Sequence, residues 1–209
     1  MTKSQIIELV RGYLAGGSAT GDILHKIDPR RLTLYIDAAF RDVVFEVYKT
    51  NTQGLSLYTR TYDGIAVVQD GTTDVFTSIL PAATIQLSGV ASGIRRISLD
   101  SGVNLEFVPV DAEIAESISM LDVSDVNINN VVGYYPRDNK LVEYLNFPAG
   151  YAAETLRMDL VIPFTEYGSD DEVSLPSGQN LNLITAVVKL LTGRSEVDLL
   201  NDNTTKTEG

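Results

Sequence analysis

The chain has no cysteine, no tryptophan and one histidine in 209 residues. Each shortage removes a class of chemistry. Without cysteine there are no disulfides, thiolate zinc sites or thiol nucleophiles, and the composition fits a reducing cytoplasm. A Ser-His-Asp triad, a haem ligand or an H-E-x-x-H zinc motif each needs histidine, and His25 stands in a polar stretch ahead of a helix. Without tryptophan no aromatic-rich sugar platform is suggested. Long apolar runs are missing as well. Glu8 and Arg11 interrupt the N-terminal stretch, which therefore reads as neither a signal region nor a membrane span. No other stretch reaches about 18 uninterrupted apolar residues.

What is present is ordinary for a globular chain: 44% apolar and 21% charged residues. A chain of this length can bury roughly 70% of its unfolded surface, enough for one large domain or a domain with a sizeable insertion. The net charge is -12, and it is unevenly placed. Residues 1–105 hold ten Lys/Arg and ten Asp/Glu, whereas residues 106–209 hold six and eighteen. An acidic surface repels phosphate, so a grip on DNA or RNA over the second half is disfavoured. Arg30, Arg31, Arg95 and Arg96 come as two isolated pairs and not as a track with interleaved aromatics.

The periodicities predict an α+β chain. Ile6, Ile7, Leu9, Val10, Tyr13 and Leu14 have helical spacing, and a second helix opens at Asp28-Pro29, with Asp as cap and Pro in the first turn. Leu32, Tyr35, Ile36, Ala39, Phe40, Val43, Val44 and Val47 give that helix, to about Tyr48, a broad apolar face. Residues 1–54 therefore read as a helical hairpin. Residues 55–165 read as a β-rich insertion, with turns at Asp63-Gly64 and Asp70-Gly71. Short β-like runs at 73–79, 83–88, 94–99 and 103–109 suggest an antiparallel sandwich or small barrel. A short capped helix is expected near 111–121. A hairpin then joins 131–135 to 141–147 through Pro136–Lys140, and a strand covers 155–164. Residues 166–193 add a helix with Leu181, Ile184, Val187, Val188 and Leu191 on one stripe, completing a helical body. Residues 194–209 read as a flexible polar tail.

Local motifs mostly fail on inspection. Gly16–Gly21 has phosphate-loop glycine spacing, but Asp22-Ile23 stands where Lys-Ser/Thr should follow. Asp125-x-Asn127-x-Asn129 begins like a calcium loop, yet Asn130 replaces the turn glycine and Pro136 the bidentate Glu. The contiguous carboxylates Asp170, Asp171 and Glu172 read as a solvated acidic turn. Paired acids for glycoside hydrolysis are a spatial arrangement, and eighteen acids in the second half allow many pairs.

The order of elements carries more information than any motif. An N-terminal helix pair with Asp28-Pro29 leads to a β-rich insert, then Ile162-Pro163-Phe164, the acidic Ser169–Glu172, Val173-Ser-Leu-Pro176, a helix Asn180–Leu191 and a polar tail. Together these features resemble the head-to-tail connector, or adaptor ring, proteins of short-tailed bacteriophages, and within them the ring proteins of crAss-like phages. The resemblance implies a non-enzymatic virion subunit, made in the bacterial cytoplasm and placed in the portal and tail region, with no cofactor and no membrane contact. Its partners would be copies of itself in a twelve-fold ring, the portal protein and other ring or tail proteins. Double-stranded DNA would pass without specific binding. Under this resemblance Leu199 and Leu200 are the candidate assembly contacts of the tail, and Asp170, Asp171 and Glu172 are candidate lumen or inter-subunit charges. The competing expectation is another virion module, a head-decoration, tail-fibre or carbohydrate-binding β-domain, in which Tyr134, Tyr135 and Tyr144 would line an exposed patch.

Overall fold

Asp28 and Pro29 open the longest helix. The Asp28 carboxylate accepts the Arg30 backbone N–H at 2.8 Å and the Asp28 carbonyl accepts the Leu32 N–H at 3.0 Å, the pattern of an N-cap. This helix, α2, spans Pro29–Thr50 and follows α1 at Lys3–Gly16; α3 spans Gln179–Thr192 near the other end of the chain. The structure is a computed structural model that describes residues 1–16, 28–50, 52–71, 75–87, 93–111, 113–114, 130–137, 140–173, 175 and 178–192. It is an α+β fold in two units: Met1–Tyr58 with Pro163–Gly209, and Thr59–Ile162.

The first unit is built by both ends of the chain. Ile6, Val10 and Leu14 of α1, Leu32, Ile36, Phe40 and Val44 of α2, and Leu183, Val187 and Val188 of α3 are buried at three- and four-residue spacing. Phe40 is the hub of an aromatic cluster, with Tyr58 and Phe164 each at 6.2 Å between ring centres and Tyr167 at 6.4 Å. A β-run was expected from Leu55. Instead, Thr52–Tyr58 forms a 3-10 helix. Three residues per turn put Leu55 and Tyr58 on one side, and both are buried there, so packing overrides the strand propensity of the segment.

Among its described residues the second unit has eight strands: β1 Thr59–Ala66, β2 Val68–Gln69, β3 Phe76–Ile79, β4 Ile94–Leu99, β5 Glu106–Pro109, β6 Val131–Pro136, β7 Leu141–Leu145 and β8 Thr155–Val161. One sheet has three strands in the order β1-β8-β4 and the other five in the order β2-β3-β7-β6-β5. Leu156, Met158 and Leu160 alternate as the buried face of β8, and Val142 and Tyr144 do the same on β7. The expected hairpin at 131–147 is present, with Tyr134 opposite Tyr144.

Three details differ from the sequence expectation. Asp63-Gly64 is no turn but a bulge inside β1, where the register against β8 slips between Tyr62 and Ile65. Gly64 has φ +74° there, and its N–H reaches the Asp100 carboxylate at 3.0 Å. Residues 83–87 form no strand, although Ile85 donates its N–H to the Val161 carbonyl at 2.9 Å. The β5–β6 pair is parallel, an exception among otherwise antiparallel ladders. Of the expected helix at 111–121, Glu113 and Ile114 are helical and Asp111 caps Glu113 at 3.0 Å. Residues 115–121, the calcium-like segment 125–129, Gly17–Gly21, His25 and the tail with Leu199 and Leu200 lie outside the described residues.

Candidate functional site

The acidic turn proposed from the sequence is tied to the N-terminus of the chain. Lys3 donates its backbone N–H to the Asp171 carbonyl at 3.1 Å, Ser4 donates to the Ser169 carbonyl at 3.0 Å, and Val173 donates to the Met1 carbonyl at 2.9 Å. The Lys3 ammonium donates to the carbonyls of Thr165 at 3.0 Å and Tyr167 at 2.6 Å, and lies 5.5 Å from the centre of the Phe164 ring. Within the turn the three carboxylates separate. Asp171 is half-buried and accepts the Gly168 N–H at 2.8 Å, so its charge serves the turn itself. Asp170 and Glu172 are exposed. Contiguous carboxylates that diverge in this way make no cage for a cation, and no metal-ligating cluster occurs among the described residues.

Among the described residues of the helical unit several large apolar side chains are exposed, Leu34, Leu57 and Leu181 included, and two further apolar surfaces are a ridge and a groove. On α1, Ile6, Val10 and Leu14 take the core side, which leaves Leu9 at 41% and Tyr13 at 54% exposure on the outer side. These two stack at a four-residue spacing, flanked by Glu8 and Gly12. Gly12 is a helix-interior glycine whose absent Cβ would meet nothing within 4 Å. It leaves a shallow depression beside the Leu9–Tyr13 ridge. The second surface is a groove of about 710 Å³ between α2 and α3. Val43, Val47, Ala186 and Leu190 are its apolar lining, and Asp42, Glu46 and Lys189 its charged residues. The sequence carried a signal for the ridge. Six apolar positions in nine residues of α1 span more of the helix than one core stripe needs.

The β unit shows what its own polar groups do. Tyr134 and Tyr144 are 5% and 3% exposed, so they cannot form the exposed tyrosine patch expected of a carbohydrate-binding module; the β6–β7 register turns both inward. Desolvation pushes the Tyr134 phenol up to about 12, an effect that the nearby Arg95 cation partly opposes. Desolvation raises Tyr144 too; Ser78 opposes the rise and neighbouring Tyr134 adds to it. Tyr135 instead points to the other face, where its hydroxyl and the Arg137 guanidinium both donate to the Glu143 carboxylate. Glu143 is 7% exposed, a buried charge that sequence reading did not single out.

A polar cleft of about 940 Å³ lies beside β4 and β5, lined by Asp63, Arg96, Asp100, Asn104 and Arg157 among others. Its acids already have work: Asp100 accepts from Gly64 N–H and, at 2.7 Å, from the Thr155 hydroxyl, and Asp63 faces Arg157 at 3.6 Å. The pairs Arg30/Arg31 and Arg95/Arg96 sit in different units. No helix among the described residues is long and apolar enough to cross a membrane. In comparisons with known proteins, no family model and no curated protein matches the sequence.

Proposed function

We propose that this chain is a structural subunit of a bacteriophage head-to-tail connector ring, docked below the portal and lining part of the DNA conduit. The observation that carries the reading is the pair of different apolar surfaces on one helical unit, a ridge on α1 and a groove between α2 and α3. A subunit of a closed ring meets its two neighbours through two unlike faces, whereas a two-fold dimer needs only one self-complementary face. The charge supports the same role. A conduit must let a polyanion slide, and the β unit, with six Lys/Arg against fourteen Asp/Glu, repels phosphate. Asp170 and Glu172 are the exposed acids of the 169–173 turn available to face DNA or a neighbour; Asp171 is engaged within the turn.

The test is to image the purified chain by negative stain, alone and with the portal protein of its phage. Closed rings of about twelve subunits, a number implied by the resemblance, are the expected result in at least one sample. Monomers or trimers in both, without portal binding, would remove the connector reading.

A further inference from the structure

We propose that Asp70-Gly71, at the loop end of β2, is a site of spontaneous backbone isomerisation in the folded protein, whereas the identical pair Asp63-Gly64 in β1 is protected by the fold. This holds whether or not the chain is a ring subunit.

The chemistry needs only the two residues of the pair. The Gly71 nitrogen attacks the side-chain carboxyl carbon of Asp70, and the amide proton and the carboxyl hydroxyl leave together as water, closing a cyclic succinimide. Water then adds back. Opening at the side-chain carbonyl returns aspartate. Opening at the main-chain carbonyl leaves a chain that runs through the Asp70 Cβ and Cγ, an isoaspartate of unchanged mass. Glycine favours the attack because it has no Cβ to crowd the ring and its backbone turns easily. The nitrogen must also be released from any hydrogen bond that its N–H makes. That requirement separates the two pairs, because exposure does not: Asp63, Gly64, Asp70 and Gly71 are all exposed.

In β1 both residues are held. Gly64 sits in the bulge against β8 and donates its N–H to the Asp100 carboxylate at 3.0 Å, and Asp100 is anchored in turn by the Thr155 hydroxyl at 2.7 Å. The Asp63 carboxylate faces the Arg157 guanidinium at 3.6 Å. Attack at Asp63 requires a hydrogen bond to a charged acceptor to open first, which slows it about tenfold or more. At the other pair the Asp70 N–H is fixed by the Val75 carbonyl at 2.9 Å, but the Gly71 N–H makes no hydrogen bond among the described residues. The space around Gly71 is open as well. Its nitrogen therefore has no bond to break before it turns onto the Asp70 carboxyl. The fold also tolerates the product. β2 is a two-residue strand at the edge of its sheet, and a main-chain carbon added after Gln69 lies beyond the ladder that pairs Val68 with Thr77 and Gln69 with Phe76. Isoaspartate accordingly accumulates without unfolding the unit, and its free α-carboxylate is the kind of group to which a carboxyl methyltransferase passes the methyl of S-adenosylmethionine.

The test ages the purified full-length chain for weeks, folded in buffer and unfolded in urea. Trypsin releases both pairs in one peptide, Thr61–Arg95, and electron-transfer fragmentation, which splits isoaspartate between Cα and Cβ, shows which aspartate has changed. In urea the two pairs should isomerise at similar rates. In the folded chain Asp70 should keep close to its urea rate, while Asp63 falls behind it about tenfold or more. Asp70→Glu should remove the Asp70 product, because the larger ring closes slowly. Asp100→Ala, which takes away the acceptor of the Gly64 N–H, should start isomerisation at Asp63 in protein whose circular dichroism is unchanged. Asp100→Asn, which keeps a carbonyl acceptor, should leave Asp63 slow.

Equal rates at Asp63 and Asp70 in the folded chain would overturn the proposal, and so would an Asp70 that stays intact when folded yet isomerises in urea. A folded Asp100→Ala variant in which Asp63 remains silent would overturn the protection assigned to the Asp100 bond.

Discussion

A glycine and a tyrosine in the β unit illustrate what single side chains decide. Gly93 has φ +76°, and a Cβ placed on it would stand 2.6 Å from the Ile85 carbonyl oxygen and 3.1 Å from that of Val161. Both backbone segments are fixed, since Gly93 accepts from Val161 N–H at 2.8 Å while Ile85 donates to the Val161 carbonyl. Gly93→Ala should therefore destabilise the protein by roughly 2–4 kcal/mol, seen as a lower urea midpoint. Tyr134 gives stability a pH dependence. Its phenol holds its proton to about 12 in the fold but only to about 10 when unfolded, so the folded state binds more protons between those values. The contribution is complete below pH 10 and is lost as pH rises toward 12. The gap corresponds to roughly 3 kcal/mol, and Tyr134→Phe should flatten that part of an alkaline urea titration; an unchanged slope would contradict it. Ser92-Gly93 was legible in sequence as a break between strands. That glycine alone fits there was not, because the crowding atoms belong to residues 85 and 161.

At the level of elements, helices and hairpins announced themselves through local periodicity, while the links between distant segments did not. Asp37 interrupts the apolar stripe of α2 and would pass as a solvent-facing position, yet it is 7% exposed. Its carboxylate accepts from the Arg41 guanidinium at 2.8 Å and from the Thr165 N–H at 3.1 Å, and so joins α2 to the 3-10 turn Phe164–Glu166. Thr165 is 128 residues away in sequence, beyond the reach of any periodicity. Asp37→Ala should cost about 2–3 kcal/mol, because it leaves a partly buried N–H without its acceptor. Arg41→Ala should cost less than about 1 kcal/mol, since the Arg41 side chain is half exposed and screened. Equal losses in denaturant titrations would argue that the ion pair, and not the Thr165 contact, matters. The 3-10 helix Thr52–Tyr58 and the parallel β5–β6 pair were invisible for a related reason. Each depends on what packs alongside, Phe40 in one case and Val131–Tyr134 in the other.

For the whole molecule, the sequence located the acid excess by half of the chain, and the fold relocates it by unit. The β unit carries six Lys/Arg and fourteen Asp/Glu, and the helical unit ten and fourteen. With two isolated arginine pairs as the densest basic features, double-stranded DNA should show no mobility shift with the purified chain even at low salt, where phosphate contacts are strongest. A salt-sensitive shift would count against a conduit through which DNA slides. The α+β class and the order of its elements were readable because helix and strand periods differ. The candidate assembly contacts Leu199 and Leu200 lie outside the described residues, and the ridge and groove emerged only once buried and exposed faces could be told apart.

Assembling one unit from both ends of the chain also sets a timetable on the ribosome. Helices α1 and α2 emerge early, but α3 and the Phe164–Tyr167 segment that complete their core follow only after Thr59–Ile162 has been made. At about 5–20 residues per second that wait is on the order of 5–20 s. During it the apolar faces of α1 and α2 are nascent surfaces without their partner, and when it ends β1 to β8 have all been made while α3 has not. The inserted unit is therefore positioned to fold first, and the surfaces proposed for ring closure take shape last.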